Sequence, residues 1–215
     1  MPHHHPSHDH GCCSHEAGQP DDQHIRPEEG TQDLLYSKID KGQVSGCNVE
    51  PSRPAKDCIK PWTERSDDQN FTQSDMDQQM ILHIPFTGSV KLRAVIIRTL
   101  PGVFRPTQAH LYANEPSLDF DALESRPPTQ ILEIPETTEV VEFPVRVAKF
   151  SSLTSLSIFF NAPSNIENTR VYFLGFKGEF TNLSRKPVIA IYEAQANPSD
   201  HEKVSGLGDA LNRTI

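Results

Sequence analysis

The sequence has little of what marks membrane, secreted or nucleic-acid-binding proteins. Its 215 residues contain no apolar run near the ~20 residues that a helix needs to cross a bilayer. No apolar stretch follows Met1, so we expect no secretory signal there. Lys and Arg number 20 against 29 Asp and Glu, and this net charge of −9 argues against duplex nucleic acid as a main partner. We therefore expect neither a membrane nor a nucleic acid among the partners.

Cysteine is also scarce, and the Cys-x-x-Cys motif of thioredoxin-like redox sites is absent. Without a secretory signal, we expect free thiols rather than disulfides at all four positions, Cys12, Cys13, Cys47 and Cys58. Lys56 and Lys60 flank Cys58, and a nearby cation can lower a thiol pKa and make the thiol reactive. Buried cysteines more often act as small hydrophobic residues, and we favour that structural role for Cys47 and Cys58.

Hydrophobic residues make up only 35% of the chain, which indicates segments that stay outside the core. Residues 1–30 are polar and rich in histidine, so we expect a disordered N-terminal tail. The chain becomes polar again after about residue 198. We therefore predict one domain over 31–198 and a polar C-terminal tail over 199–215.

Within 31–198 the apolar residues recur with a period of two, which is typical of strands. Two runs each predict a single buried face, made of Met80, Leu82 and Ile84 and of Val90, Leu92, Ala94 and Ile96. Turn signals at 87–89 and 177–178, and prolines such as Pro85, separate roughly nine to eleven short strands. No 12-residue window carries a helical stripe. The pattern predicts an all-β fold, an antiparallel β-sandwich or jelly roll.

The N-terminal tail contains side chains that suit Zn, Ni or Cu. The candidate ligands are His3, His4, His5, His8, His10, Cys12 and Cys13. Because no zinc-finger spacing is present, we interpret this segment as a tail that scavenges metal in vitro, and we expect no cofactor. A functional metal site there remains the alternative.

Asp75 and Asp77 precede the strand that begins at Met80, and in an extended segment they would share a face. Three interpretations are open: hydrogen bonds that shape the turn, which we favour, an interaction surface, or a Ca²⁺ site. Trp62, the only tryptophan, either fills the core or anchors a partner. His83, His110 and His201 have no adjacent Ser or Asp that would make a catalytic triad convincing.

Several blocks of the chain together resemble the PITH domain, the proteasome-interacting module found at the C-terminus of a thioredoxin-like protein. In chain order they are Asp33-Leu-Leu-Tyr-Ser-Lys-Ile-Asp40, Lys60-Pro-Trp-Thr-Glu-Arg65, Ser74-Asp-Met-Asp77, Ile84-Pro-Phe-Thr-Gly88, Leu111-Tyr-Ala-Asn114, Phe176-Lys-Gly-Glu179 and Tyr192-Glu-Ala-Gln-Ala-Asn-Pro-Ser-Asp-His201. The His-rich start resembles stand-alone members of this family. One departure is Cys47-Asn-Val-Glu50, where the family usually shows Cys-Leu-Asn-Glu.

The resemblance implies a jelly roll related to galactose-binding-like domains, a cytoplasmic or nuclear location, and a link to the 26S proteasome. It brings no catalytic residues, so we expect a non-enzymatic adaptor or regulator that binds a protein partner, the proteasome regulatory particle. The candidate contact residues are Trp62, Arg65, Asp75, Asp77, Asp200 and His201. Two alternatives remain: a jelly roll that binds sugar or Ca²⁺, and a metal- or thiol-handling protein that uses the N-terminal tail.

Overall fold

The computed structural model describes Met1 and residues 33–182, and strands are the main regular secondary structure of this part of the chain. The tails predicted over 1–30 and 199–215, and the boundary at 198, lie outside these residues apart from Met1. The strands are β1 (Ser45–Cys47), β2 (Thr72–Gln73), β3 (Met80–Arg98), β4 (Gln108–Ala113), β5 (Gln130–Glu133), β6 (Val141–Pro144), β7 (Leu153–Asn161), β8 (Arg170–Val171) and β9 (Phe173–Thr181). One α-helix, α1 (Phe120–Ser125), and three 3₁₀ helices, Tyr36–Lys38, Trp62–Glu64 and Val147–Phe150, complete the described elements.

The longest strand, β3, takes part in both layers of the fold. Its first part pairs with β1 on one side and with β7 on the other, and β7 continues through β4 to β5. Its second part pairs with β6 and β9. The pairing with β7 shifts register between Pro85 and Val90, where the strand passes from one layer to the other. All these pairings, and that of β2 with β8, are antiparallel, which confirms the predicted all-β sandwich.

One hydrophobic core lies between the two layers. Met80, Leu82 and Ile84 all point into it, as the alternation predicted. They meet side chains from both layers, including Leu111, Ile158, Phe160, Leu174 and Phe176. Because the residues of one core come from strands on both sides, the sandwich buries its apolar faces as a single unit.

The predicted face of Val90, Leu92, Ala94 and Ile96 is wrong beyond Leu92. Val95 and Ile97 point into the core instead, while Ala94 and Ile96 are buried outside this cluster. The cause is a β-bulge: Leu92 pairs with Gly178 but Ala94 pairs with Lys177, so Arg93 is an extra residue. One extra residue moves every following side chain to the opposite face.

Two predicted turns are also wrong, because residues 87–89 lie within β3 and residues 177–178 within β9. At Gly88 an added Cβ would lie 2.7 Å from the ring of Phe180, so glycine is needed there for close packing. Pro85 likewise lies inside β3 rather than at its end, and its carbonyl accepts a hydrogen bond from the Asp40 amide at 2.9 Å. Gly88 and Pro85 therefore let neighbouring segments pack closely against the strand, and the chain does not reverse direction at either residue.

A smaller apolar cluster covers the outer face of the first layer, the layer that contains β1, the first part of β3, β7, β4 and β5. Asp119 caps α1 by accepting a hydrogen bond from the Ala122 amide at 2.8 Å. The helix then lays Phe120, Ala122 and Leu123 against Ile81, Leu118, Tyr112 and Phe159. At six residues, α1 is too short to have left a periodic stripe in the sequence. Within residues 33–182 no helix is long and apolar enough to span a bilayer.

Candidate partner-binding surface

The segment from Ser74 to Gln79, here called the Met76 loop, connects β2 to β3 and holds an apolar side chain in solvent. Met76 is 85% exposed, and Asp75 and Asp77 on either side of it are exposed as well. Large apolar side chains are normally withdrawn from water, and Met is favoured at adaptable binding surfaces. The loop therefore presents an apolar tip between two carboxylates.

Asn48, which follows β1, holds one side of the Met76 loop. Its backbone has a φ of 55°, a left-handed conformation that Asn tolerates better than most residues. Its side-chain Oδ1 accepts a hydrogen bond from the Met76 amide at 2.8 Å. Its Nδ2 donates to the Gln79 carbonyl at 2.5 Å and to Asp77 Oδ1 at 2.8 Å. One side chain thus fixes the middle and the end of the loop.

The segment before β8 holds the other side. Asn168 Nδ2 donates to the carbonyls of Ser74 and Asp75, at 2.9 and 3.0 Å. Thr169 Oγ1 donates to the Gln78 carbonyl at 2.5 Å, and its amide donates to Ser74 Oγ at 2.8 Å. Because the backbone is held from both sides, binding a partner would cost little ordering entropy in the loop.

The two aspartates of the Met76 loop have different roles. Asp77 Oδ1 accepts hydrogen bonds from the Gln79 amide and from Asn48 Nδ2, both at 2.8 Å, so the turn-shaping interpretation holds for Asp77. The Asp75 carboxylate has no hydrogen-bond or ion-pair partner within residues 33–182 and faces solvent. That same part of the chain contains no cluster of three or more His, Cys, Asp or Glu suited to a metal.

Trp62 begins a 3₁₀ helix and is half-buried, so part of its side chain packs inward while the rest is accessible to solvent. One edge of its ring packs against Phe173, with ring centroids 6.1 Å apart. The Arg65 guanidinium lies 4.6 Å from the Trp62 ring centroid, and Arg65 Nη1 donates to the Trp62 carbonyl at 3.0 Å. The ring is therefore anchored by the core on one side and covered by a cation on another.

Trp62 and Arg65 line a cleft of about 410 Å³, here called the Trp62 cleft, together with Arg98 and residues 138–140. Arg98 is only 7% exposed. It donates to Asp68 at 2.6 Å and to the Thr138 carbonyl at 3.0 Å. Trp and Arg side chains dominate the binding energy of many protein interfaces, and both are positioned here by the fold.

Lys60 is a buried cation that stabilises the segment following Trp62. Lys60 is 6% exposed, and its Nζ donates to the Asp67 carbonyl oxygen at 2.9 Å and to its carboxylate at 3.1 Å. The Gln69 amide and Asn70 Nδ2 donate to the same carboxylate. These hydrogen bonds hold the pKa of Asp67 well below its usual range. Asp67 therefore stays ionised opposite Lys60 and fixes the turn that follows Trp62.

Cys47 and Cys58 are free thiols, as expected. Burial raises the pKa of Cys58 to about 12, and this effect outweighs the opposing influences of Thr72 and Lys60. The structural role predicted for Cys58 is therefore confirmed. Cys47 is half-buried at the end of β1 and packs against the outer apolar cluster.

The structure brings His83 next to a serine that sequence reasoning did not pair with it. His83 Nδ1 lies 3.1 Å from Ser157 Oγ, but Ser157 Oγ donates its proton to the Glu115 carbonyl at 2.6 Å. Burial lowers the pKa of His83, and Ser157 is 1% exposed. In an activated nucleophile the serine donates to the histidine. Here the histidine is the donor, and the pair ties β3 to β7.

The predicted contact residues therefore fall into two groups, Trp62 with Arg65 at the Trp62 cleft and Asp75 with Asp77 on the Met76 loop. Asp200, His201 and the predicted metal ligands of the N-terminal tail lie outside the described residues. Sequence reasoning missed Met76 itself, whose position between two aspartates signals exposure. It also missed Asn48 and Arg98, whose partners are distant in the sequence.

A family model and several curated proteins match most of the chain. The model of the PITH domain matches residues 26–196. PITH domain-containing protein 1 of Danio rerio is 37% identical over 182 residues, covering 84% of this chain and 86% of its own length. The human protein of the same name is 34% identical over 193 residues, covering 89% of each chain. PITH domain-containing protein CG6153 of Drosophila melanogaster is 36% identical over 214 residues, covering 98% of this chain and all of its own.

Solved structures are similar in fold but distant in sequence. The structure of the CBM32-1 and CBM32-2 domains from Clostridium perfringens ZmpB matches with a TM-score of 0.50 and 11% identity. The match covers 71% of this chain and 38% of that one. It supports the jelly-roll fold that the family resemblance implied. At this identity the likeness establishes the fold alone.

Proposed function

Because this chain belongs to the PITH domain family, we propose that it is a non-enzymatic protein-interaction module that associates with the 26S proteasome. Its partner in this proposal is the regulatory particle, and its role is that of an adaptor or regulator in the cytoplasm and nucleus. The family match supports the proposal, since the PITH domain is named as a proteasome-interacting domain. The remaining support comes from the surface of the described residues.

The observation that carries the proposal is the Met76 loop. An exposed Met on a mobile loop would lose much of its binding energy to ordering, but this loop is already held by Asn48 and Asn168. The Asp75 carboxylate beside it is unpaired among residues 33–182. A complementary partner would offer an apolar pocket with a basic rim, and the charge would raise the association rate and the specificity of binding.

The Trp62 cleft provides a second contact in the same proposal. The Trp62 ring packs against Phe173, and Arg65 and Arg98 donate hydrogen bonds to neighbouring oxygens. The aromatic and the arginine side chains are therefore held in fixed positions. Such pre-positioned aromatic and arginine side chains are the usual centres of binding energy in protein interfaces. We therefore expect substitutions at either surface to weaken the complex.

The test is affinity purification of the tagged full-length protein from its own cells at low salt, with proteasome subunits quantified by mass spectrometry. In the variant Asp75→Lys with Met76→Ser, we expect the recovered subunits to fall at least tenfold. The thermal unfolding temperature should stay unchanged, because neither side chain has a partner among residues 33–182. Asn48→Ala, which removes the hydrogen bonds that hold the loop but keeps the Asp75 and Met76 side chains, should give an intermediate loss.

Val103→Ser is the matched control, since Val103 is also an exposed apolar side chain, 66% exposed, on a different loop. It should recover as many subunits as the unaltered protein. Absence of proteasome subunits from the unaltered protein would contradict the proposed partner. Equal losses in the Met76 and Val103 variants would contradict the role of the Met76 loop and leave the family assignment unaffected.

A further inference from the structure

Strand β5 forms one edge of the first layer. It pairs with β4 from Gln108 opposite Glu133 to Leu111 opposite Gln130. In the described part of the chain no other strand pairs with it. An edge strand presents unpaired backbone N–H and C=O groups, and an extended peptide can add to them as a further strand.

A groove of about 360 Å³ runs beside this edge, here called the β5 groove and lined by Pro128, Thr129, Gln130, Ile131, Arg146 and Lys149. Ile131 is 47% exposed, one of the few large apolar side chains at the surface of the described residues. On a strand edge, such a side chain gives an added peptide an apolar contact.

The wall of the β5 groove is held in place by a side chain of β5 itself. Gln130 Nε2 donates to the Pro144 carbonyl at 3.1 Å, and Gln130 Oε1 accepts from the Arg146 amide at 2.8 Å. Lys149 Nζ also reaches the Thr129 carbonyl, at 3.4 Å. The segment that carries Arg146 and Lys149 is thus fixed next to β5.

The residues that line the β5 groove include two cations, Arg146 and Lys149, and no acidic side chain. Arg146 and Lys149 are exposed, and neither forms a salt bridge within residues 33–182. The nearby carboxylate on β5, Glu133, accepts a hydrogen bond from Gln108 Nε2 at 2.7 Å. In a chain of net charge −9, two cations that have no carboxylate partner among residues 33–182 and lie beside an apolar residue indicate an acidic ligand.

We propose that the β5 groove binds an extended acidic peptide segment of a partner protein. The segment adds to β5 as an antiparallel or parallel strand, with an apolar side chain on Ile131 and carboxylates beside Arg146 and Lys149. This site uses residues separate from the Met76 loop and the Trp62 cleft, so it is a third interaction surface and does not depend on the proteasome proposal.

Fluorescence anisotropy tests the proposal with the full chain and three labelled eight-residue probes. The first alternates valine and glutamate, the second alternates valine and lysine, and the third is the acidic peptide with alternate amides N-methylated. We expect saturable binding of the acidic probe, at least tenfold weaker binding of the lysine probe, and at least tenfold weaker binding of the N-methylated probe. N-methylation removes the donors that a strand ladder needs, and the lysine probe reverses the charge.

Arg146→Glu with Lys149→Glu should weaken the acidic probe at least tenfold. Lys41→Glu with Lys56→Glu is the matched control, because it makes the same charge change at two exposed lysines lining a different cleft beside β1. The control should bind like the unaltered chain. Equal losses in both double variants would mean nonspecific charge attraction and would overturn the site. Undiminished binding of the N-methylated probe, or no binding of the acidic probe to the unaltered chain, would overturn the strand addition.

Discussion

Asp67 stabilises the turn that follows Trp62 in the chain. Its carboxylate accepts hydrogen bonds from the Gln69 amide, the Asn70 side chain and the Lys60 ammonium. Lys60 itself is nearly buried. A buried ammonium without an anionic partner is strongly disfavoured. The arrangement therefore couples the local fold to the ionisation of one carboxyl group.

Asp67→Asn should lower the urea midpoint of unfolding at pH 7. The folded-state pKa of Asp67 lies below its unfolded value of about 3.9, so its stabilisation is fully present above about pH 4 and is lost as the pH falls further. The difference between the two proteins should therefore shrink as the pH is lowered from 4 to 3. Glu64→Gln, an exposed carboxyl two residues after Trp62, should leave the midpoint unchanged. A difference that grows below pH 4 would contradict the assignment.

The two described cysteines should differ in reactivity. Because burial raises the pKa of Cys58 to about 12, almost no thiolate is present at pH 8, and the sulfur is also shielded from reagents. Iodoacetamide at pH 8, followed by peptide mass spectrometry, should label the half-buried Cys47 well before Cys58. Cys58 labelling should appear only in urea that unfolds the domain. Equal rates in the native protein would disprove the structural role of Cys58.

At the scale of elements, β3 shows which features a sequence reveals. The alternation of Met80, Leu82 and Ile84 follows from a period of two and was predictable. The bulge at Arg93 was not, because residues 90–96 alternate as well as an unbroken strand would. Only the pairing with β9, whose residues are some 85 positions away, reveals the extra residue.

The same distinction applies to the candidate surfaces. Trp62 and Arg65 are three residues apart, so their stacking follows from local spacing. The contact that orders the Met76 loop joins Asn48 to a residue 28 positions away, and local propensity carries no information about it. Long-range hydrogen bonds decide the shape of this surface, which is why Asp75 and Asp77 could be singled out but their separate roles could not.

Gly178 should be intolerant of any side chain because of the bulge opposite it. An added Cβ would lie 2.3 Å from the Lys91 carbonyl oxygen, which is backbone and cannot move aside cheaply. Gly178→Ala should therefore destabilise the domain by about 1–3 kcal/mol, as overpacking does. Gly42→Ala is the matched control, with its nearest contact at 3.5 Å, and should change the free energy of unfolding by less than about 0.5 kcal/mol. Urea unfolding measures both, and similar values would contradict the register assigned to β3 and β9.

At the scale of the whole molecule, the two layers share β3, and this sharing bears on how cooperatively they unfold. Its first part carries β1 and β7, its second part carries β6 and β9, and one core joins both. If either layer opened alone, β3 would have to separate from half of its partners and expose the common core. We therefore expect the two layers to unfold as one unit.

Ile158→Ala tests this cooperativity from one layer. Ile158 is fully buried on β7, and its truncation should cost about 2–5 kcal/mol of stability. Native-state amide hydrogen exchange should then show the same loss of protection in β7 and in the β9 amides bonded to β3, although β9 lies in the other layer. Val103→Ala, on an exposed loop, should leave both strands unchanged. Protection that falls in β7 while β9 keeps its original value would show that the layers open separately, because a global opening must release every amide that only global unfolding exposes.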